Sequence, residues 1–466
     1  MLGQLFQTFS NCMRIPELRS RIIFTALILA VARLIAMTPI PGLDGGALSA
    51  FVESQSQKAG GAGGVVAIYS LFTGGALEKC AVGSLGIMPY ISASIIIQLL
   101  TAVVPGLGKL AREEGGRSKL IAYGRYLTVL LCLGWAAVTA MGWENPETAF
   151  KGFPGKLISI ENIWVYRLQT IVILTTGTLL LMWLGEQISE RGVGNGVSLV
   201  ITIGILARLP LAAKSLVTLF RPPEGVDSAV RWPHAFVLVA LLIAVIAGVI
   251  AITQAQRKIP VQYAQRAVGR KVVAGGTSYM PLKVNYPAVM TVIFAQSILI
   301  FPAMLFEKLY SILKPGFIRD DIVYFFLTHF NREGAMYLIL YTLMILFFSY
   351  FWVATQFNEL QIADDIKRQG GYIPGVRPGS ATSDFLHRSM TRITLAGAVF
   401  LAVIAIIPIL MGRWLGVDQN VAQFFGGTSI LISVGVLLDT MRQMESYLHM
   451  RNYDGFMKKG RVKGRF

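Results

Sequence analysis

Ten apolar runs, each close to the length that crosses a lipid bilayer, constrain this chain more than any other feature. A bilayer-spanning helix needs about 20 mostly apolar residues, at about 1.5 Å of rise per residue. The sequence is 54% hydrophobic and only 14% charged, whereas soluble domains carry roughly 25% charged residues. It therefore predicts an all-α polytopic membrane protein with one membrane domain and spans at residues 22–38, 87–103, 120–141, 166–185, 196–215, 235–253, 284–302, 335–357, 391–411 and 425–441.

The stretch Tyr69–Leu100 does not read as a simple loop followed by a span. Its first part, Phe72–Val82, is too short to cross a bilayer and contains two glycines, a glutamate and a lysine. Irregular, partly polar backbone at membrane depth is tolerated only where protein buries it or where it lines an aqueous cavity. The pattern favours a re-entrant half-helix that leads through Gly83 and Gly86 into the second span, although an ordinary outside loop remains an alternative.

The charges are distributed unequally between the two sides that ten spans define. One side, which includes both termini, carries 26 Lys and Arg against 12 Asp and Glu, and the other side carries 13 against 13. By the positive-inside rule, both termini of this multi-pass membrane protein are expected in the cytoplasm.

The loop between spans six and seven is purely basic, since no acidic residue occurs between Asp227 and Glu307. Its alternating pattern predicts two short strands, Lys258–Ala264 and Arg270–Ala274, that turn near Gly269. A stiff hairpin carrying Lys258, Arg270 and Lys271 suits a polyanionic partner such as ribosomal RNA. The alternative is that these charges only orient the protein in the membrane.

The loop between spans eight and nine contains the rigid sequence YIPGVRPG at its tip. Its prolines restrict φ and its glycines permit tight turns, so the loop presents Arg377 at a defined point. We interpret Arg377 as a partner contact, with a plain surface arginine beside a turn as the alternative.

Signatures of catalysis are missing from the sequence. The three cysteines are widely spaced, the four histidines are scattered, and no phosphate-binding loop, metal motif or intramembrane nucleophile motif is complete. Carboxylates are nearly absent from the span interiors, which argues against a proton-coupled transporter. The sequence predicts no catalytic residue, no cofactor and no metal, and therefore a passive passage whose energy comes from a partner.

Long segments of the chain resemble the SecY family, the central subunits of bacterial protein-conducting channels. The resemblance rests on FTGGAL, GIMPYISASIIIQLL, MRIPELRSRIIFT, PIPGLDG, MWLGEQISERGVGNGVSLVI, QAQRKIPVQYAQRAVGRK, PLKVN, GGYIPGVRPG, TRITLAGAVFLA and FFGGTSILISVGVLLDTM. One departure is Asn358-Glu-Leu-Gln, where the family usually has Asn-Pro-x-Glu.

The resemblance implies a fold of two five-helix halves, related by a pseudo-two-fold axis in the membrane plane, around an hourglass pore. Such inverted repeats are common in membrane transport proteins. The expected halves are residues 1–219 and 220–441, followed by a basic cytoplasmic tail at 442–466. The re-entrant segment, about 69–84, would be the plug, with its core at Phe72, Thr73, Gly74, Gly75, Ala76 and Leu77.

The resemblance also implies a ring of bulky apolar residues at the pore waist. The matching positions are Ile87, Ile91, Val197, Ile201, Ile293 and Ile432. An apolar constriction closes by dewetting and offers a passing peptide no hydrogen bonds. For each residue the alternative is ordinary helix-interface packing.

Polar residues near the second and fifth spans match the family's lateral gate, which opens toward lipid for signal sequences and nascent transmembrane helices. These residues are Ser92, Gln98 and Asn195. Interhelical hydrogen bonding is an equally compatible role.

By resemblance, the expected function is to pass unfolded secretory polypeptides across the plasma membrane and to release transmembrane segments sideways into lipid. The implied partners are the SecE and SecG subunits, the motor ATPase SecA and the ribosome, with SecDF and YidC as further ones. Signal sequences and nascent chains would be the substrates. A secondary transporter for a small solute is the main alternative, and an intramembrane hydrolase is a more distant one.

Overall fold

The structure is a computed structural model in which most of the chain is helical. It describes residues 13–57, 73–113, 115–146, 153, 155–210, 213–214, 232–263, 266–268, 271–273, 276–286, 290–312, 316, 321, 323–329, 334–415 and 428–459. The described residues fall into two compact units. The first lies within Met1–Ala229, Asp418–Phe424 and Ile432–Phe466, and the second within Val230–Val417 and Phe425–Leu431.

The helices and strands follow one another in the order of the predicted spans. The first part of the chain forms α1 Pro16–Ile35, α2 Gly45–Gln57, α3 Met88–Val103, α4 Pro105–Arg112, α5 Gly116–Glu144, α6 Ile163–Arg191 and α7 Gly196–Leu206. The remainder forms α8 Trp232–Gln254, β1 Gln256–Tyr263, β2 Arg266–Val268, β3 Lys271–Val273, β4 Thr277–Lys283, α9 Met290–Ile312, α10 Tyr324–His329, α11 Ala335–Gln356, α12 Glu359–Arg368, β5 Gly371–Tyr372, α13 Ser380–Leu415 and α14 Thr428–Lys459.

Each of the ten predicted spans overlaps a helix, and the polytopic all-α fold is confirmed. Among the described residues, four helical segments are long and apolar enough to cross a membrane by themselves, namely Gly116–Glu144, Ile163–Arg191, Ala335–Arg368 and Ser380–Ile407. The pair α3 and α4 also qualifies, with a 104° bend at its break. The fifth predicted span, 196–215, is interrupted, because α7 ends at Leu206 and residues 209–210 and 213–214 are helical again after a turn.

Several helices begin at residues that favour a helix start, namely a proline in the first turn or an asparagine N-cap. Pro16 stands at the first turn of α1, where its missing N–H costs nothing. Asn162 caps α6 by accepting a hydrogen bond from the Trp164 backbone nitrogen at 3.1 Å. Asn358 caps α12 by accepting from the Gln361 nitrogen at 3.2 Å. The sequence that departs from the family pattern at Asn358 therefore still starts a helix there.

Four buried or nearly buried hydroxyl groups inside the spans are satisfied within their own helices. Thr128, Thr202, Ser297 and Ser349 each donate to the carbonyl oxygen four residues earlier, at 2.7–2.8 Å. This local hydrogen bond lets a polar side chain sit in an apolar span without a partner on another helix.

In the first unit, α5 packs against α3 and α6, and α6 also packs against α1 and α7. Two arginines of this group are paired with carboxylates of neighbouring helices. Arg125 on α5 pairs with Glu186 at 2.8 Å, and Arg167 on α6 pairs with Glu144 at 2.8 Å. An ionisable residue in a membrane helix needs such a partner.

In the second unit, the two basic loops form one sheet. Strand β1 pairs antiparallel with β4 along its length and with β5 at its end, in the order β4-β1-β5. Strands β2 and β3 form a separate hairpin. The predicted pairing was therefore wrong: the strand at 256–263 pairs with 277–283, while the strand at 271–273 pairs with 266–268. The predicted turn at Gly269 lies outside the described residues.

Candidate functional site

The re-entrant segment between α2 and α3 is a run of turns. Residues 74–80 and 82–87 are turns, and Gly74 and Gly75 have φ of +65° and +83°, values that glycine adopts without steric cost. Cys80 also has a positive φ, of 46°. These left-handed residues interrupt helical geometry, so the described part of the segment is not the regular half-helix that the sequence suggested. Phe72 lies outside the described residues.

The segment is packed as tightly as a protein core. Ala76 and Cys80 are fully buried, and Thr73 and Leu77 are nearly so. The Ser84 hydroxyl donates to the carbonyl oxygen of Ala76 at 3.0 Å. Burial raises the pKa of the Cys80 thiol to about 12, with the nearby Asp44 carboxylate as a further cause. A thiol with such a pKa stays protonated and unreactive at neutral pH.

The end of the segment is attached to the chain that leaves α1. The backbone nitrogen of Ile40 donates to Cys80 at 2.9 Å, and the nitrogen of Val82 donates to Thr38 at 2.9 Å. The nitrogen of Gly83 donates to Ile35 at 3.2 Å. This end is therefore held by backbone hydrogen bonds around an isolated antiparallel β-bridge between Pro39 and Ala81.

The beginning of the segment is held by two arginine side chains. Arg33 of α1 donates from Nη1 to the Gly74 carbonyl oxygen at 2.9 Å. Arg208, two residues after α7, forms an ion pair with Glu78. The Arg208 and Glu78 side chains are only 12% and 16% exposed. Neither arginine was assigned a role from the sequence.

Four of the six predicted ring residues flank the re-entrant segment on α3 and α7. Ile87 directly precedes α3, and Ile91 and Ile201 are buried, while Val197 is half-buried. A Cβ on Gly185 of α6 would lie 3.6 Å from Ile87 Cδ1 and 3.5 Å from the Val197 nitrogen. Gly185 of α6 thus lies beside two of the predicted ring residues, Ile87 and Val197.

The other two predicted ring residues lie elsewhere. Ile432 belongs to the first unit and Ile293 to the second, and both are buried. Burial alone does not separate a ring position from helix packing, so their role stays a prediction.

A small cavity of ≈ 20 Å³ lies behind the re-entrant segment, lined by Arg33, Thr73, Gly86, Ile87 and Gly204 among others. This volume is enough for about one water molecule. The segment therefore fills its site almost completely.

The predicted lateral-gate residues lie on or beside α3 and α7. Asn195 is the N-cap of α7, where its side chain accepts from the Ser198 nitrogen at 3.3 Å. Ser92 is half-buried on α3, and Gln98 is exposed six residues further along that helix. For Asn195 the structure gives a local capping role, and a gate role for the three residues stays a prediction.

The turn that leads into α7 is held by two residues that sequence reasoning missed. The Val193 nitrogen donates to Thr25 Oγ1 of α1 at 3.0 Å, and the Gly194 nitrogen donates to Gln443 Oε1 of α14 at 3.0 Å. Gly194 has φ +91°, and a Cβ there would approach Thr440 Oγ1 to 2.9 Å. These contacts position the start of α7, which carries Val197 and Ile201.

Two of the predicted docking residues, Lys258 and Arg377, are exposed in the second unit. Lys258 points away from the buried side of β1, where Ile259 and Val261 enter an apolar core. Arg377 is exposed in the loop after β5, and its carbonyl oxygen accepts from the Thr382 hydroxyl at 2.9 Å. Lys271 begins β3, and Arg270 lies outside the described residues.

Two exposed tyrosines that sequence reasoning missed share this sheet. Tyr279 stands opposite Pro260, and Tyr372 stands opposite Gln262. Both tyrosines are exposed, so the outer surface of the sheet carries aromatic rings as well as cations.

Within the described part of the chain, no group of three or more His, Cys, Asp or Glu side chains is placed to hold a metal ion. The two described cysteines, Cys80 and Cys132, are buried free thiols that form no disulfide bond.

Known proteins resemble this chain along its whole length. A family model described as SecY matches residues 81–441. The chain is 42% identical over 472 residues to the protein translocase subunit SecY of Chlamydia trachomatis, with 100% of both sequences covered. It is 39% identical to the protein translocase subunit SecY of Thermotoga maritima, over 99% of this chain and 100% of the relative.

Solved structures show the same fold at lower sequence identity. A protein-conducting channel matches with a TM-score of 0.59 at 17% identity, over 91% of each chain. Sec61 in the canine ribosome-channel complex from the endoplasmic reticulum matches with a TM-score of 0.57 at 17% identity, again over 91% of each chain. The family model and the full-length relatives together establish that this chain belongs to the SecY family.

Proposed function

We propose that this chain is the pore-forming subunit of a protein-conducting channel, which passes unfolded secretory polypeptides and releases transmembrane segments into lipid. The observation that carries the proposal is the full-length similarity to protein translocase subunits. The closely packed re-entrant segment supports it, because a channel at rest needs a removable element that blocks it. A small-solute transporter would need a polar midplane site with ionisable groups, and the family membership argues against this alternative.

The re-entrant segment is the plug in this proposal, and Ile87, Ile91, Val197, Ile201, Ile293 and Ile432 form the pore ring. The burial of five of them, all except Val197, is compatible with a closed ring. Branched aliphatic side chains yield to a passing peptide without binding it, and they dewet when the pore is empty.

Sideways release requires a gate between helices, which we place at α3 and α7. Ser92, Gln98 and Asn195 lie on or beside these helices. Polar groups between membrane helices contribute modest interactions, about 0.6 kcal/mol on average. Such weak contacts suit an interface that must open and close repeatedly.

The excess of basic residues supports a plasma-membrane orientation with both termini in the cytoplasm. The sheet of the second unit then faces the cytoplasm, where Lys258, Arg270, Lys271 and Arg377 dock partners. Ribosomal RNA and a motor ATPase of the SecA type fit these cations, and SecE and SecG complete the membrane complex. The motor or the ribosome supplies the energy in this proposal, because the sequence contains no complete catalytic motif.

The test is reconstitution of the purified complex into liposomes with the motor ATPase and a radiolabelled secretory precursor. We expect ATP-dependent protection of the precursor from external protease. A precursor without its signal sequence and a preparation without ATP are the controls. Uptake of a small solute without protection of any polypeptide would overturn the proposal in favour of a transporter.

A further inference from the structure

We propose that Arg33 and Arg208 position the plug, by holding its first turns against α1 and α7 while the channel is closed. This inference deepens the proposed function and rests on it. It assigns a specific role to two intramembrane cations that the apolar character of their spans does not explain.

The two arginines hold different parts of the same short segment. Arg33 binds the backbone at the Gly74 carbonyl oxygen, and Arg208 binds the Glu78 side chain four residues later. The end of the segment is attached instead by backbone hydrogen bonds, such as the one from Ile40 to Cys80. The plug is thus held at its end by backbone hydrogen bonds and at its beginning by side chains, and both sets must break when the whole segment, including Cys80, leaves its site.

The plug backbone approaches α7 too closely for any side chain to intervene. A Cβ on Gly74 would lie 2.9 Å from both the Cα and the carbonyl oxygen of Gly204, and 2.7 Å from Arg33 Nη1. Close packing of this kind orients the Gly74 carbonyl toward Arg33. The arginine contact therefore depends on the seated position of the plug.

The charges favour the closed position. Two cations lie at the edge of one small segment, and the plug supplies a carboxylate and a carbonyl oxygen to them. Hydrogen bonds to charged groups are stronger than neutral ones, and removing one partner of a buried pair leaves an uncompensated charge. When the plug leaves, Arg33 and Arg208 lose these partners and water must replace them.

An ion pair between helices in the same unit provides a matched comparison. Arg167 on α6 and Glu144 on α5 form such a pair, with side chains 32% and 15% exposed, and neither residue belongs to the plug. If Arg33 and Arg208 only stabilise helix packing, Arg167→Gln should resemble Arg33→Gln and Arg208→Gln in every measurement. If they position the plug, Arg33→Gln and Arg208→Gln should increase the exposure of Cys80, and Arg167→Gln should not.

The experiment measures the maleimide reaction rate of Cys80 in the resting reconstituted complex, in a Cys12→Ser, Cys132→Ser background. Cys80 is fully buried in the seated plug, so its reaction reports plug displacement. We expect Arg33→Gln and Arg208→Gln to raise this rate about tenfold, which corresponds to about 1.4 kcal/mol in the opening equilibrium. Resting ion conductance in planar bilayers should rise with it.

Further variants separate a positioning role from a general loss of packing. Arg33→Lys keeps a cation and a donor, so it should restore part of the Cys80 protection. Glu78→Gln should act like Arg208→Gln, and the double variant should be no worse than either single one, because both remove the same pair. If Arg33→Gln and Arg208→Gln do not accumulate in the membrane, the Cys80 reaction rate of Glu78→Gln tests the inference in their place.

Rates of Cys80 modification equal to those of Arg167→Gln in all plug variants would overturn the inference. Precursor translocation is measured in the same preparations. Failure of the unmodified complex to translocate would count against the proposed function itself, whereas normal translocation with unchanged Cys80 protection in the variants would count only against the role of the arginines.

Discussion

Gln262 of β1 stands in antiparallel register with Tyr372 of β5, so two loops separated in the chain by helices α9 to α12 form a single sheet. Gly371 lies beside this junction, packed between β1 and α12. A Cβ there would lie 2.9 Å from Tyr263 Cε1 and 3.1 Å from Val261 Cγ1. The sheet gives the two basic loops a common rigid base.

We expect Gly371→Ala to loosen this junction. The added methyl group overpacks a site where overpacking costs about 1–3 kcal/mol in the free energy of unfolding. Thermal unfolding of the purified protein in detergent measures the effect. Gly276→Ala is the control, because a Cβ there meets nothing within 4 Å. Equal melting temperatures for the two variants would contradict this account of the junction.

Charge reversal at Arg377 should cripple translocation while leaving the protein folded. The side chain is exposed on a loop stiffened by two prolines and held to α13 by Thr382. We expect Arg377→Glu to lower the initial rate of precursor translocation at least about tenfold, equivalent to about 1.4 kcal/mol. Arg388→Glu, an exposed reversal on α13, is the control. Near-normal export by Arg377→Glu at an equal membrane level would remove this residue from partner contact.

Neutralising Lys258, Arg270 and Lys271 together should weaken ribosome binding and flatten its salt dependence. Each lost phosphate contact reduces the slope of log affinity against log salt by about 0.7–0.9 units. We therefore expect a slope shallower by about 2, measured by co-sedimentation over a salt series. Lys156→Gln, on the opposite predicted side, should leave the slope unchanged. If the slope is unchanged in the triple variant, these charges only orient the protein in the membrane and do not bind the ribosome.

Replacing Ile87 or Ile432 by Asn should make the resting channel easier to open. A buried amide without partners costs about 1–3 kcal/mol, and water satisfies it only in the open state. Resting conductance in planar bilayers should rise about tenfold for a shift of about 1.4 kcal/mol. Ile188→Asn, equally buried on α6, should lower the yield of folded protein without raising conductance. If resting conductance rises for neither Ile87→Asn nor Ile432→Asn at matched protein amounts, both residues are ordinary packing positions and not part of the ring.

The amino-acid sequence by itself determined the features that depend on neighbouring residues. Apolar runs of bilayer length predicted the helices, because lipid cannot hydrogen-bond to exposed backbone. The prolines and glycines around Arg377 predicted a rigid turn, and Gly375 and Gly379 indeed have positive φ. The resemblance to SecY was also visible in the sequence, since its motifs are continuous segments of the chain.

Tertiary structure alone decided which distant residues meet. Periodicity located strands in the basic loop, but only packing on the apolar core around Ile259 and Leu386 selected β4 and β5 as the partners of β1. Likewise, Arg33 and Arg208 are 175 positions apart, and no local pattern connects either one to the plug. Their convergence on Gly74 and Glu78 requires α1 and α7 to pack around that segment, and helix packing depends on side-chain fit between elements that are remote in sequence.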